Sequence, residues 1–127
     1  MNRILISSES RFIINRKLIR NMVLSFLDEQ KIKSEIEVSI SFVGDRKMRK
    51  LNKKYRGIEE TTPVLSFPQE NGRPFVNPPD GVLYLGDIVI SYPQMVALAA
   101  CENKLVDQKI AELIRHGLAN LLGIPKG

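Results

Sequence analysis

The chain has 127 residues, 43% hydrophobic and 26% charged, which suits one core and is too short for two. A single domain over residues 1–127 is therefore expected, and the composition excludes disorder and collagen-like repeats. One cysteine, Cys101, excludes an internal disulfide, points to a cytoplasmic setting, and reads as a small buried apolar residue. The opening apolar run Ile4-Leu5-Ile6 is too short for an export signal, and no stretch reaches the roughly 20 apolar residues of a membrane-spanning helix.

The net charge of +5 is concentrated locally. Arg46, Lys47, Arg49, Lys50, Lys53, Lys54 and Arg56 lie together with no intervening acid, and without them the chain is net acidic. A second acid-free stretch holds Arg11, Arg16, Lys17 and Arg20.

In chain order, Arg3 to Ser7 reads as a short strand, and Ser10 is placed to cap a long helix from Arg11 to about Gln30 with apolar positions Ile14, Leu18, Met22 and Phe26. Glu35 to Phe42 alternates polar and apolar residues, the pattern of a strand with one buried face. Asp45 to Tyr55 reads as a helix closed by Gly57. At helical spacing Met48, Leu51 and Tyr55 form one docking arc, with every lysine and arginine outside it. Solvated helices usually interleave Glu with Lys, and this one does not, so the basic strip points to nucleic acid or ribosome contact.

Thr61 to Pro68 contains a short strand, and Pro63 places it at an edge or makes the proline a strand start. Leu83 to Ser91 reads as an interior strand, with a Pro- and Gly-bearing loop from Gln69 to Gly81 before it. Ser91-Tyr92-Pro93-Gln94 forms a capping box for a helix to about Glu102, stopped by Asn103. Val106, Ile110, Leu113, Gly117 and Leu121 mark a last helix that ends before Gly123. The order β, α, β, α, β, β, α, α predicts a small α+β domain, a mixed sheet of about four strands with helices largely on one side.

Three segments carry more information than this pattern: Leu51-Asn52-x-x-Tyr55-Arg56-Gly57, Val64-Leu65-Ser66-Phe67-Pro68, and Leu85-Gly86-Asp87-Ile88-x-Ile90-Ser91. In this order they resemble the YbeY family, bacterial rRNA maturation factors classed as single-strand endoribonucleases. The resemblance continues into the last helix, where the family carries a His-Gly-x-x-His-x-x-Gly-Tyr-Asp-His signature whose histidines hold zinc. Here His116, Gly117 and Gly123 match it, while Asn120 and Lys126 stand at the second and third histidines and Ile124-Pro125 replaces Tyr-Asp. Pro63 also stands where the family usually has Asp or Asn.

His116 and Asn120 are one helical turn apart, so both project from one face. Zinc, however, prefers imidazole, thiolate or carboxylate, and a protonated Lys126 has no lone pair to offer. Cys101 is the one thiolate candidate, and Glu112 is placed to orient the His116 ring. By resemblance, Arg56 belongs to the catalytic cleft, where a planar guanidinium suits a scissile phosphate. The alternatives are a salt bridge from Arg56 to Glu59 or Glu60, and a strand-end cap or turn for Asp87.

The resemblance implies an rRNA maturation factor acting on single-stranded rRNA at the ribosomal small subunit. Arg46, Arg49, Lys50, Lys53, Lys54 and Arg56 would contact RNA, His116 would be the retained metal-ligand position, and metal catalysis would be impaired or lost. The alternatives are a catalytically inactive RNA- or ribosome-binding module, or a truncated gene product.

Overall fold

The computed structural model describes residues 2–69 and 81–124. Its elements are β1 (Arg3–Ser8), α1 (Arg16–Glu29), β2 (Glu35–Val43), α2 (Asp45–Arg56), β3 (Val64–Pro68), β4 (Val82–Ser91), α3 (Tyr92–Cys101) and α4 (Val106–Leu122). The strands form one mixed sheet in the order β1-β2-β4-β3, in which β3 alone runs antiparallel to its neighbour. The predicted α+β order holds, with β4 interior and β3 at an edge. Pro63 immediately precedes β3, and its carbonyl accepts from the Ser91 N–H at 2.9 Å.

The two faces of the sheet carry different layers. Ile36, Val38, Ile40 and Phe42 of β2 and Leu83, Leu85, Ile88 and Ile90 of β4 bury one face with side chains of α1, α3 and α4. On the other face Val43, Leu65 and Val89 receive Met48 of α2, with Leu51 and Phe67 at the margin. Three helices thus share one side, and α2 alone takes the other.

Leu85 and Ile88 are three residues apart, an odd spacing for one strand face. A bulge restores the phase: Glu37 pairs with Tyr84 and Val38 with Gly86, which leaves Leu85 as the extra residue. Gly86 has φ of 127°, and a Cβ there would lie 2.2 Å from the Phe67 carbonyl oxygen, so the bulge requires glycine.

The first helix starts later than its sequence suggests. Asn15 caps it by accepting from the Leu18 N–H at 3.0 Å, and Ser10 lies in a preceding turn. The cause is tertiary: Phe12 stacks on Tyr92 with centroids 4.5 Å apart, and the Tyr92 hydroxyl donates to the Ile13 carbonyl at 2.9 Å. These contacts hold the entry segment against α3 and outweigh local helix preference. The buried stripe of α1 is consequently Ile19, Val23, Phe26 and Leu27, of which only Phe26 is among the expected positions.

The expected capping box of α3 forms in half. Ser91 Oγ accepts from the Gln94 N–H at 3.3 Å, but the Gln94 amide turns away to Asp45. The helix then ends as read, with Asn103 left-handed at φ of 59°. Cys101 is exposed rather than buried, because α3 buries Met95 and Ala99 on another side. Asp87 neither caps nor turns a strand end. It lies within β4 and accepts a hydrogen bond from Ser39 of β2 across the ladder. The loop expected from Gln69 to Gly81 falls, between its first and last residues, outside the described residues.

Candidate nucleic-acid interface

Helix α2 is preceded by its N-cap Gly44 and followed by its C-cap Gly57, whose φ of 70° places it in the left-handed region. Its buried side is Met48 and Asn52, a turn apart, with Leu51 half-buried beside them. Tyr55, the last member of the expected docking arc, touches Phe67 on one side yet remains 56% exposed. Arg46, Lys47, Arg49, Lys50, Lys53, Lys54 and Arg56 are all exposed, and Asp45 in the first turn is the one acid in the helix. Lys53, Lys54 and Arg56 also lie in the last turn, where the helix dipole favours cations. That placement accounts for three of the seven charges and leaves four without such a reason.

Two residues that periodicity had not singled out set the position of this helix. The Asp45 carboxylate accepts from Ser91 Oγ at 2.7 Å, Thr61 Oγ1 at 3.0 Å and Gln94 Nε2 at 3.3 Å. Partial burial opposes its ionisation, but the bonds from Ser91, Thr61 and Gln94, with the Arg49 charge, prevail and hold its pKa below the ordinary carboxylate value. At the other end, Asn52 Nδ2 donates to the Glu60 carbonyl at 2.9 Å and holds the returning loop. Asn52 is 2% exposed, and its Oδ1 has no hydrogen-bond partner among the described residues. The available signal for Asn52 was its place one turn after Met48; Asp45 had no comparable signal, because its partners are distant in sequence.

Arg49, Glu59, Glu60 and Thr61 line a wide-mouthed cleft of about 570 Å³. Glu59 pairs with Lys53 at 3.4 Å, and among the described residues no acid pairs with Arg56. The salt bridge considered for Arg56 is therefore made by Lys53 instead. Phe67 of β3 lies against Tyr55 with ring centroids 4.9 Å apart, so the end of α2 overhangs the edge strand.

Helix α4, which carries His116, packs on the face of the sheet opposite α2. His116 is exposed, and neighbouring Gly117 packs on Ile88 so closely that a Cβ would meet Ile88 Cδ1 at 2.9 Å. Ser66 is paired with Ile88 across the β3–β4 ladder, so α4 flanks the same edge strand that α2 flanks from the other face. The sheet separates the Arg56 helix from the His116 helix, and β3 is their common neighbour.

The donor set at α4 does not fit zinc. Asn120, half-buried a turn after His116, offers a neutral amide, and Lys126 is outside the described residues. Among the described residues no three His, Cys, Asp or Glu side chains are grouped to hold a metal. Glu112 is engaged by lysines: Lys109 Nζ donates to it at 2.9 Å, and Lys104 also pairs with it. Lys109 itself is only 6% exposed and also reaches Glu102 at 2.8 Å, a buried cation that the sequence pattern had not revealed. No described helix is long and apolar enough to cross a membrane.

Comparison with known proteins agrees with this architecture. The family profile described as Endoribonuclease YbeY matches residues 6–124. Endoribonuclease YbeY of Roseiflexus castenholzii is 36% identical to this chain, over 87% of the chain and 70% of the relative. That of Thermodesulfovibrio yellowstonii is 37% identical over 87% and 74%, respectively. The solution structure of TM1509 from Thermotoga maritima shares the fold, with a TM-score of 0.60 at 22% identity, covering 93% of this chain and 71% of that one.

Proposed function

Since the chain belongs to the endoribonuclease YbeY family, we propose that it is a cytoplasmic rRNA maturation factor acting on single-stranded rRNA at the ribosomal small subunit, with metal catalysis impaired or lost. The observation that carries this reading is the exposed basic side of α2, which has no acid after Asp45. Arg46, Arg49, Lys50, Lys53 and Lys54 supply the sequence-independent attraction of cations for phosphate. Arg56 binds two oxygens of one phosphate and offsets charge developing on it.

A guanidinium cannot deliver a nucleophile, and His116 with Asn120 is a poor zinc donor pair. That mismatch favours, as the second reading, an RNA- or ribosome-binding module without catalysis. Zinc would belong to the family's chemistry rather than to this chain's own.

The test pairs fluorescence anisotropy on a single-stranded rRNA fragment with a fluorogenic cleavage assay. Salt-dependent binding with at most trace cleavage is expected. Absence of RNA binding at low salt would overturn the proposal, and strong zinc-dependent cleavage would overturn the part that concerns impaired catalysis.

A further inference from the structure

Resting on the reading of α2 as an RNA-facing helix, we propose that the Tyr55 ring is a stacking platform for one unpaired base of single-stranded RNA. Tyr55 lies in the last turn of a helix whose other apolar members are buried or half-buried, yet it is 56% exposed. It is not loose. The half-buried Phe67 ring meets it at 4.9 Å and 59°, and Phe67 packs against the cluster of Val43, Met48, Leu65 and Val89. One side of the tyrosine is thus held by the sheet, which lowers the ordering cost of binding.

Lys54 Nζ lies over the ring, 5.2 Å from its centroid. An exposed cation–π contact is weak, whereas a stacked base is held more strongly, so an incoming base displaces the ammonium. Lys54 then swings to a phosphate of the same strand. Arg56 and Lys53 flank the ring in sequence, and no acid lies between them and it. An aromatic face among cations matches the two parts of a nucleotide.

The platform selects single strands, because bases in a duplex already have both faces stacked. An acidic protein segment would also be drawn to the cations, but it would have no flat ring to place on Tyr55.

The experiment measures anisotropy of the full chain with a labelled ten-nucleotide RNA, an abasic oligomer of the same length and polyglutamate. Wild type is expected to bind the RNA more tightly than the abasic oligomer. Tyr55→Ala should weaken RNA binding about tenfold with an unchanged salt slope, while Tyr55→Phe stays close to wild type. Lys54→Gln should instead lower the salt slope by about 0.7.

Equal wild-type affinity for base-bearing and abasic oligomers would overturn the platform and leave the RNA-facing reading standing, and that comparison does not depend on any variant folding. Wild type that binds neither oligomer would overturn both. Polyglutamate binding as tightly as RNA, with Tyr55→Ala indifferent, would assign the strip to an acidic protein instead.

Discussion

Ser91 Oγ donates to Asp45 Oδ1 at 2.7 Å, joining the residue that caps α3 to the first residue of α2 across 46 positions of sequence. Ser91 is fully buried, and the same carboxylate holds Thr61 and Gln94. The basic helix is therefore oriented by a polar clamp at its start and by apolar contact at Met48.

Replacing Asp45 with Ala leaves the buried Ser91 hydroxyl without its acceptor, and should cost about 1–3 kcal/mol in urea unfolding. The depressed Asp45 pKa makes the clamp pH-dependent. Its contribution is fully present above the unfolded carboxylate value of roughly 3.9 and is lost as pH falls through the lower folded value. The stability gap between wild type and Asp45→Asn should narrow below about pH 4; a constant gap would refute the clamp's dependence on charge.

Lys109 is buried, but its partners Glu102 and Glu112 reach solvent. Lys109→Met should therefore be tolerated, while Glu102→Ala with Glu112→Ala leaves the lysine without its two carboxylate partners and should destabilise the protein more. The hydrogen bonds that Lys109 donates to Glu102 and Glu112 raise its pKa. The charge contribution persists below the ordinary lysine value of about 10.4 and fades as pH rises through the raised one. Thermal melts of the three proteins between neutral and strongly alkaline pH would show it.

Two glycines with positive φ should respond differently to alanine. At Gly86 the new Cβ would meet the Phe67 carbonyl at 2.2 Å, so the β3–β4 ladder must shift, at a cost of about 3 kcal/mol or more. At Gly57 nothing lies within 4 Å, and only backbone strain of about 1 kcal/mol remains. Similar losses at both sites in denaturant titrations would contradict the bulge geometry.

Charge reversal at Lys50, Lys53 and Lys54 should weaken RNA binding and flatten its salt dependence by about 0.7 per lost contact on a single strand. Lys53 already shares its charge with Glu59, so its single reversal should matter least. Three equal single-variant slopes would argue against that pairing in solution.

Zinc binding should be weak in the wild type and tighter in Asn120→His, which would place two imidazoles one turn apart on α4. Competition with a chromophoric chelator measures this directly. The same chelator should leave the wild-type melting midpoint unchanged, because the core rests on apolar contacts between helices and sheet. A fall in that midpoint would reveal ligands beyond His116.

What could be read from the sequence was what depends on near neighbours. The alternation of Glu35 to Phe42 marked β2, the acid-free run marked the exposed side of α2, and Gly57 and Gly123 marked helix ends that are left-handed in the structure. Each is decided within a turn or a strand, where period and backbone freedom act directly. The motifs around Tyr55, Ser66 and Asp87 also carried the family. The start of α1, the outward Tyr55 and Cys101, the burial of Lys109 and the turning of Gln94 to Asp45 were decided by tertiary structure. Phe12 meets Tyr92, and Asp45 meets Ser91, only through the tertiary fold, because both pairs are far apart in sequence. A cap or propensity is worth about 1 kcal/mol locally, so a stacked ring or a buried hydroxyl brought from the far end of the chain is enough to override it.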